Sequence, residues 1–150
     1  MKDEIQERLN LFLNKLYQKT RADQISWECL GSYPNIDLLL EELLETPGLY
    51  IDFYTNSVNI KKSYYVKNKS GTLFLLYIWH SSSALEGEYF MFARLNEYKD
   101  LIYFDFREEF YGYISRSLWA LAETIEMNLE KHRDLEKDLC GFLEQVVGQG

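Results

Sequence analysis

The chain is poor in the residues that mark several protein classes. Its two cysteines, Cys29 and Cys140, stand far apart with no CxxC spacing. That excludes a disulfide framework, and both thiols are expected to be reduced in a cytosolic compartment. Two prolines and eight glycines in 150 residues argue against disorder and against a loop-dominated fold. Two histidines, His80 and His132, are too few for most zinc sites. The longest strongly apolar run, Leu73 to Trp79, is far shorter than the ~20 residues that span a bilayer. The opening Met1-Lys2-Asp3-Glu4 is charged and no apolar segment follows, so no signal peptide is expected. GxGxxG, Walker A, HExxH and GxSxG patterns are absent, and no internal repeat is visible. No cofactor, metal or membrane partner is therefore expected.

Basic residues are scarce too. Sixteen Lys and Arg against 24 Asp and Glu leave a net charge of −8 and a pI near 4.8. Direct nucleic-acid binding needs a basic surface that displaces counterions, so it is disfavoured. An acidic surface that meets a basic protein is compatible with this charge. Hydrophobic residues make up 47% and charged residues 27%, which places the chain among ordinary globular proteins. At 150 residues it reads as a single domain, 1–150, able to complete a core without a metal or a disulfide. Aromatic residues, at 16%, are abundant.

Helical spacing of Ile5, Leu9, Phe12, Leu13, Leu16 and Tyr17 predicts a first helix over about Lys2 to Lys19. Ile25 to Leu30 is short and extended. The cluster Gly31-Ser32-Tyr33-Pro34-Asn35 is a turn, after which Asn35 or Asp37 can cap a short second helix carrying Leu38, Leu39, Leu40, Leu43 and Leu44. Thr46-Pro47-Gly48 stops it. The pattern then turns to alternation and predicts five strands: Leu49–Thr55, Ser57–Lys67, Thr72–His80, Glu88–Asn96 and Leu101–Asp105. Short polar connections imply an antiparallel meander. Asn68-Lys69-Ser70-Gly71 is its clearest hairpin turn, with Gly71 free to take a positive φ. Thr72 to Trp79 is apolar on both faces and belongs at the sheet centre with cover above and below. The fold class is α+β.

The last third, about Glu109 to Val147, is helical. Two heptad-spaced series interleave in it: Ile114, Leu121, Asn128, Leu135, Phe142 and Leu118, Ile125, His132, Leu139, Val146. The seam is apolar except for Asn128 and His132, one turn apart. One reading is a single helix that self-associates into a homodimer, with the polar pair fixing register. The other is a bend near His132–Asp134, with both helices packed on the sheet.

Candidate chemistry is thin. Lys61, Lys62, Lys67 and Lys69 against Asp52 give residues 50–72 a net +3, the one basic patch. It suits edge-strand protection or an anion site. His80-Ser81-Ser82-Ser83 puts an imidazole beside hydroxyls, but neighbours on an extended chain point apart. Cys29 with His80, and Glu88 with Glu97-Tyr98-Lys99, are weaker patterns still; the second would be a nuclease signature in acidic surroundings. Asp105, Glu108 and Glu109, interleaved with Phe106, Phe110, Tyr111 and Tyr113, suit a protein interface. Glu41, Glu42 and Glu45 form a second acidic face.

Leu16-Tyr17-Gln18-Lys19-Thr20, followed by Gln24-Ile25-Ser26-Trp27-Glu28, resembles the opening of small uncharacterised bacterial proteins. In these a helix ending in Lys-Thr is followed by Trp, a compact antiparallel sheet and a C-terminal helix. The resemblance implies a bacterial or phage source and the fold outline, and carries no activity with it.

These observations favour a non-enzymatic, cytoplasmic interaction protein. The narrower expectation is an inhibitor of a basic, nucleic-acid-handling protein, of immunity, antitoxin or phage anti-defence type. Its partner surfaces would be Asp105, Glu108, Glu109, Tyr111 and Tyr113, and Glu41, Glu42 and Glu45. A self-association seam would run through Ile114, Leu118, Leu121, Ile125, Asn128 and His132. The alternatives are a small-ligand or nucleotide-binding domain with a pocket near Trp79 and Trp119, and a homodimeric adaptor.

Overall fold

In the computed structural model, residues 2–45, 58–79, 87–97, 100–104 and 111–148 are described. In chain order they form helix α1 (Lys2–Arg21), strand β1 (Glu28–Cys29), a 3-10 turn (Leu30–Ser32) and helix α2 (Ile36–Leu44). A second 3-10 turn (Ile60–Lys62) leads into β2 (Tyr64–Lys67), β3 (Gly71–Trp79), β4 (Gly87–Leu95) and β5 (Ile102–Tyr103). Helix α3 (Tyr111–Gly148) closes the described chain as one uninterrupted element of 38 residues. The sheet is antiparallel with strand order β1-β2-β3-β4-β5.

Period-two alternation sorts the core into two layers. Tyr64, Leu75, Tyr77, Tyr89 and Met91 face one way, towards Leu13 and Leu16 of α1 and Leu118, Leu121 and Ile125 of α3. Tyr65, Phe74, Leu76, Ile78, Phe90 and Phe92 face the other way, towards Leu30 and towards Leu39, Leu40 and Leu43 of α2. The sheet is thus sandwiched, α1 and α3 on one side and α2 on the other. This is why β3 reads as apolar throughout: Phe74, Leu75 and Leu76 are all 0% exposed.

One local expectation falls outside the described residues and others are corrected. The strand expected at Leu49–Thr55 lies outside the described residues, and in the described sheet β1 contributes the outermost strand on that side. The strand expected over Ser57–Lys67 is interrupted. Val58 bridges to Ile78 and the Asn59 N–H donates to the Tyr77 carbonyl at 2.8 Å. The chain then leaves the sheet through the Ile60–Lys62 turn. Ser63, fully buried, closes the gap. Its hydroxyl donates to the Asn59 carbonyl at 2.7 Å and accepts from the Tyr77 N–H at 2.9 Å.

Asn35 does occupy the N-cap of α2, yet its side chain makes no capping hydrogen bond. Its φ is +58°, and asparagine is one of the few residues that tolerate this left-handed backbone. The 68–71 turn is closed by Asn68, whose Oδ1 accepts from the N–H groups of Ser70 (2.8 Å) and Gly71 (3.2 Å). Gly71 is required for a different reason from the one expected. A Cβ there would lie 2.2 Å from the Arg94 carbonyl oxygen, so its absence lets β4 approach.

Candidate interaction surface

The first half of α3 belongs to the core. Leu118, Leu121 and Ile125 are 2%, 1% and 0% exposed, covered by α1 and the sheet of the same chain. This corrects the expectation that they form a self-association seam. The polar pair is corrected likewise. The Asn128 Nδ2–H donates to the Thr20 carbonyl at 2.7 Å, and His132 Nε2 lies 3.1 Å from the Asp23 carboxylate. Both residues serve the C-terminal end of α1, where the last helical carbonyls lack partners within the helix.

That end is built with care. The Gln24 N–H reaches the Lys19 carbonyl (2.9 Å) and the Asp23 N–H the Thr20 carbonyl (3.0 Å). This is a Schellman closure, with Asp23 at φ +58° in the position usually held by glycine. Thr20 is 0% exposed, and its Oγ1 accepts from the Trp27 indole N–H at 3.0 Å. The Lys-Thr…Trp opening noted in the sequence is therefore a buried hydrogen bond that turns the chain from α1 into β1.

The pairs Thr20–Asn128 and Asp23–His132 are separated by 108 and 109 residues. Asn10, Leu13 and Tyr17 share a cleft with Ser117 and Ala120. The two helices therefore run parallel and in step; α1 ends at Arg21, level with Leu129 and Glu130, and the turn after it reaches His132 through Asp23. From there to Gly148, α3 extends 16 residues further, about 24 Å at 1.5 Å per residue. Every described residue from Glu130 to Gly148 is exposed. Yet the heptad spacing continues. Leu139 is 56% exposed, Phe142 60%, Leu143 51%, Val146 55% and Val147 79%. At 100° per residue these five fall within about 140° of the helix circumference. They form an apolar face, with the glycine at Gly141 on the opposite side, where a Cβ would meet nothing within 4 Å.

The remaining sequence-predicted residues are scattered. Asp105, Glu108 and Glu109 lie outside the described residues, as do His80, Ser81, Ser82, Ser83 and Lys99. Tyr111, Tyr113 and Ile114 fall in the opening turns of α3, with side chains outside the described set. On α2, Glu41 and Glu45 are exposed, but Glu42 is not part of a free acidic face. It forms an ion pair with Arg94 Nη2 on β4, while Arg94 Nη1–H donates to the Tyr33 hydroxyl at 3.2 Å. The lysine patch is also partly committed. Lys62 Nζ sits 5.1 Å over the Tyr77 ring, and Lys61 shares a cleft of about 80 Å³ with Glu126, Glu130 and Arg133.

Near Trp79 and Trp119 the described rings pack against one another. Trp119 packs edge-on against Tyr77 (5.6 Å) and Tyr89 (5.0 Å), and Tyr77 against Trp79 (6.2 Å). Burial pushes the Tyr64 hydroxyl up to about 12, with Glu126 adding to the effect. It raises Tyr89 further, helped by the neighbouring Tyr64. The α1–α3 cleft lined by Asn10, Leu13, Tyr17, Ser117 and Ala120 holds about 180 Å³. Pockets for drug-sized ligands run to ~300–1,000 Å³. Among the described residues, no three His, Cys, Asp or Glu side chains gather as a metal site, and no helix is long and apolar enough to cross a membrane.

Comparison of the chain with protein-family models, with curated proteins and with solved structures yields no match.

Proposed function

We propose that this chain is a non-enzymatic interaction protein that docks through the uncovered half of α3. One observation carries the reading. A helix continuous with the core keeps its heptad apolar spacing for 16 residues past its last covered level, at Leu139, Phe142, Leu143, Val146 and Val147. A helix of this length without tertiary contacts is marginal in water, and Gly141 costs it about 1 kcal/mol relative to alanine. A protein partner on the apolar face supplies cover that the described residues do not. Burying five such side chains from their half-exposed state yields about 1 kcal/mol each, or roughly 5 kcal/mol per helix.

The net charge of −8 supports a basic character in a heterologous partner. Such charges raise the encounter rate more than the affinity. The inhibitor of a nucleic-acid-handling protein is the narrower form of this reading, with Glu41 and Glu45 beside the Arg94–Glu42 pair as its acidic contribution. Replacing both Leu139 and Phe142 by Glu tests the docking face. Circular dichroism should be preserved for the sheet and the first half of α3, and protein binding should be lost. A doubly substituted chain that keeps every partner of the wild type refutes the reading.

A further inference from the structure

We propose that the cleft between α1 and the first half of α3 binds a free nucleobase, a small, uncharged, flat heterocycle whose edge carries both donors and acceptors. The cleft holds about 180 Å³ and is lined by Asn10, Leu13, Asn14 and Tyr17 of α1 and by Ser117 and Ala120 of α3. The four α1 residues fall at i, i+3, i+4 and i+7, a single stripe of the helix. The two α3 residues fall at i and i+3, and both are small. Packed helices close such a line by interlocking large side chains from both partners. Here serine and alanine leave room on one side, and asparagine stands twice on the other. The inference goes beyond the docking reading. It concerns a level of α3 that this chain's own α1 covers, and neither reading needs the other.

A second observation points to a ligand. The Asn10 side-chain oxygen, Oδ1, is buried and has no hydrogen-bond partner among the described residues. Such orphaned acceptors are rare, because nothing offsets their lost hydration. Asparagine is also a weaker helix former than alanine or leucine, so neither packing nor propensity explains it at this position. A ligand N–H would meet the orphaned oxygen. The lining contains no Asp, Glu, Lys, Arg or His. This suits an uncharged ligand and disfavours a phosphate-bearing one, which would lose hydration beside no counter-charge. An asparagine amide presents an acceptor and a donor side by side, the pattern that pairs bidentately with the N6/N7 edge of adenine. Asn14, about 6 Å further along the axis, offers the same two groups. Leu13, 5% exposed, and Ala120 give an apolar wall for a flat ring face. A sugar would set hydroxyls against that wall unmet. Size agrees as well. At ~30 Å³ per water the cleft corresponds to about six waters. A purine of roughly ten heavy atoms suits that space, which is well below the ~300–1,000 Å³ of drug-sized pockets.

The test is titration of the isotope-labelled full chain with adenine, uracil, adenosine monophosphate and glucose, followed by amide NMR shifts. At least one of the two bases should give saturable shifts concentrated at Asn10, Asn14, Ser117 and Ala120. Its dissociation constant should be on the order of 0.1–1 mM, the range open to a ligand of about ten heavy atoms. The monophosphate should bind no more tightly than adenine. Asn10→Ala should keep the fold, since it removes the orphaned carbonyl and raises helix propensity. It should weaken binding of the base roughly three- to tenfold. Ala120→Leu, which fills the cleft from the other helix, should abolish saturable binding. The amide spectrum of each variant reports its fold, and if Ala120→Leu misfolds the Asn10→Ala result decides. Absence of saturable shifts with either base up to about 5 mM overturns the proposal and leaves a water-filled groove. So do shifts centred elsewhere on the molecule, glucose binding as tightly as the bases, the monophosphate binding more tightly than adenine, or an affinity that a folded variant leaves unchanged.

Discussion

Ile125 and Leu139 occupy the same seam position two heptads apart, and truncating each to alanine should have opposite consequences. Ile125 is 0% exposed and packs between α1 and the sheet. Ile125→Ala removes three carbons from a closed site. At ~0.8 kcal/mol per methylene the transfer loss is about 2.4 kcal/mol. A residual cavity of roughly 60 Å³ at ~24 cal/mol per Å³ adds about 1.5 kcal/mol. The expected cost is therefore about 4 kcal/mol, a large fraction of the ~5–15 kcal/mol that holds a domain of this kind together. Leu139 is 56% exposed. Leu139→Ala should change stability by no more than about 0.5 kcal/mol, because alanine is at least as good a helix former. Urea unfolding followed by tryptophan fluorescence, at a protein concentration low enough to exclude association, measures both. The comparison must be made there because any partner bound to the native state adds to apparent stability by mass action. If Leu139→Ala costs as much as Ile125→Ala under those conditions, the second half of α3 is packed within the monomer and the docking surface does not exist.

Thr20→Val keeps the shape of a buried residue but leaves the Trp27 indole N–H without its acceptor. It should destabilise by about 1–3 kcal/mol, and a shift in urea midpoint equivalent to under 0.5 kcal/mol would disprove the role given to this hydrogen bond. Gly141→Ala lies opposite the apolar face with open space for a methyl group. It should slow amide exchange across residues 136–148 by a few-fold, consistent with ~1 kcal/mol of helix propensity, and leave association intact; unchanged exchange would contradict a solvent-exposed helix. In alkali, Tyr64, Tyr65 and Tyr89 have hydroxyls raised by burial above the ordinary value of 10.0, Tyr64 to about 12. The folded state then holds protons that the unfolded state releases, so stability is complete below pH ~10 and falls as the pH climbs towards 12. Absorbance at 295 nm should show most of the 12 tyrosines ionising first and a late group coinciding with unfolding. A single transition near pH 10 without loss of structure would refute that burial.

The sheet was readable because its signal is local and doubly reinforced. β3 and β4 carry alternating side chains that are apolar on both faces, and a two-sided apolar strand has few places other than a covered sheet centre. β1 was legible only as short extended chain within Ile25 to Leu30, not as a member of the sheet, for the opposite reason. Glu28 and Cys29 are two residues with no periodicity of their own, and their pairing with Tyr65 and Tyr64 joins segments more than 30 residues apart in the chain. The interruption before β2 escaped for a related reason. Nothing in the spacing announces that Ser63 will stand in for a ladder partner, since the role depends on Asn59 and Tyr77 arriving on either side of it. Gly71 was legible as a special position, but composition near a turn cannot separate a left-handed backbone from a close approach. The aromatic residues around Trp119 were legible as a group and not as an arrangement. A sequence shows that large rings converge on a layer, not whether they line a space or fill it.

The heptad series of α3 was equally clear as a period and equally silent on its partner. A repeat of seven states only that another surface lies along one side of the helix, and in this chain the surface supplied by α1 and the sheet ends midway. The polar residues mark the change. Asn128 and His132 would weaken an uninterrupted apolar seam, but they fall where α1 runs out and where its terminal carbonyl and the Asp23 carboxylate need partners. Once that need is met, leucine, phenylalanine and valine return in the same positions. If the remaining length of α3 were meant for water, the pattern would end with the polar pair, as it does on the outer face at Glu123, Glu126 and Glu130. On the docking reading proposed above, its resumption past His132 calls for a second covering surface, and the break in the seam locates the border between the part of the helix that packs within this fold and the part that stands exposed.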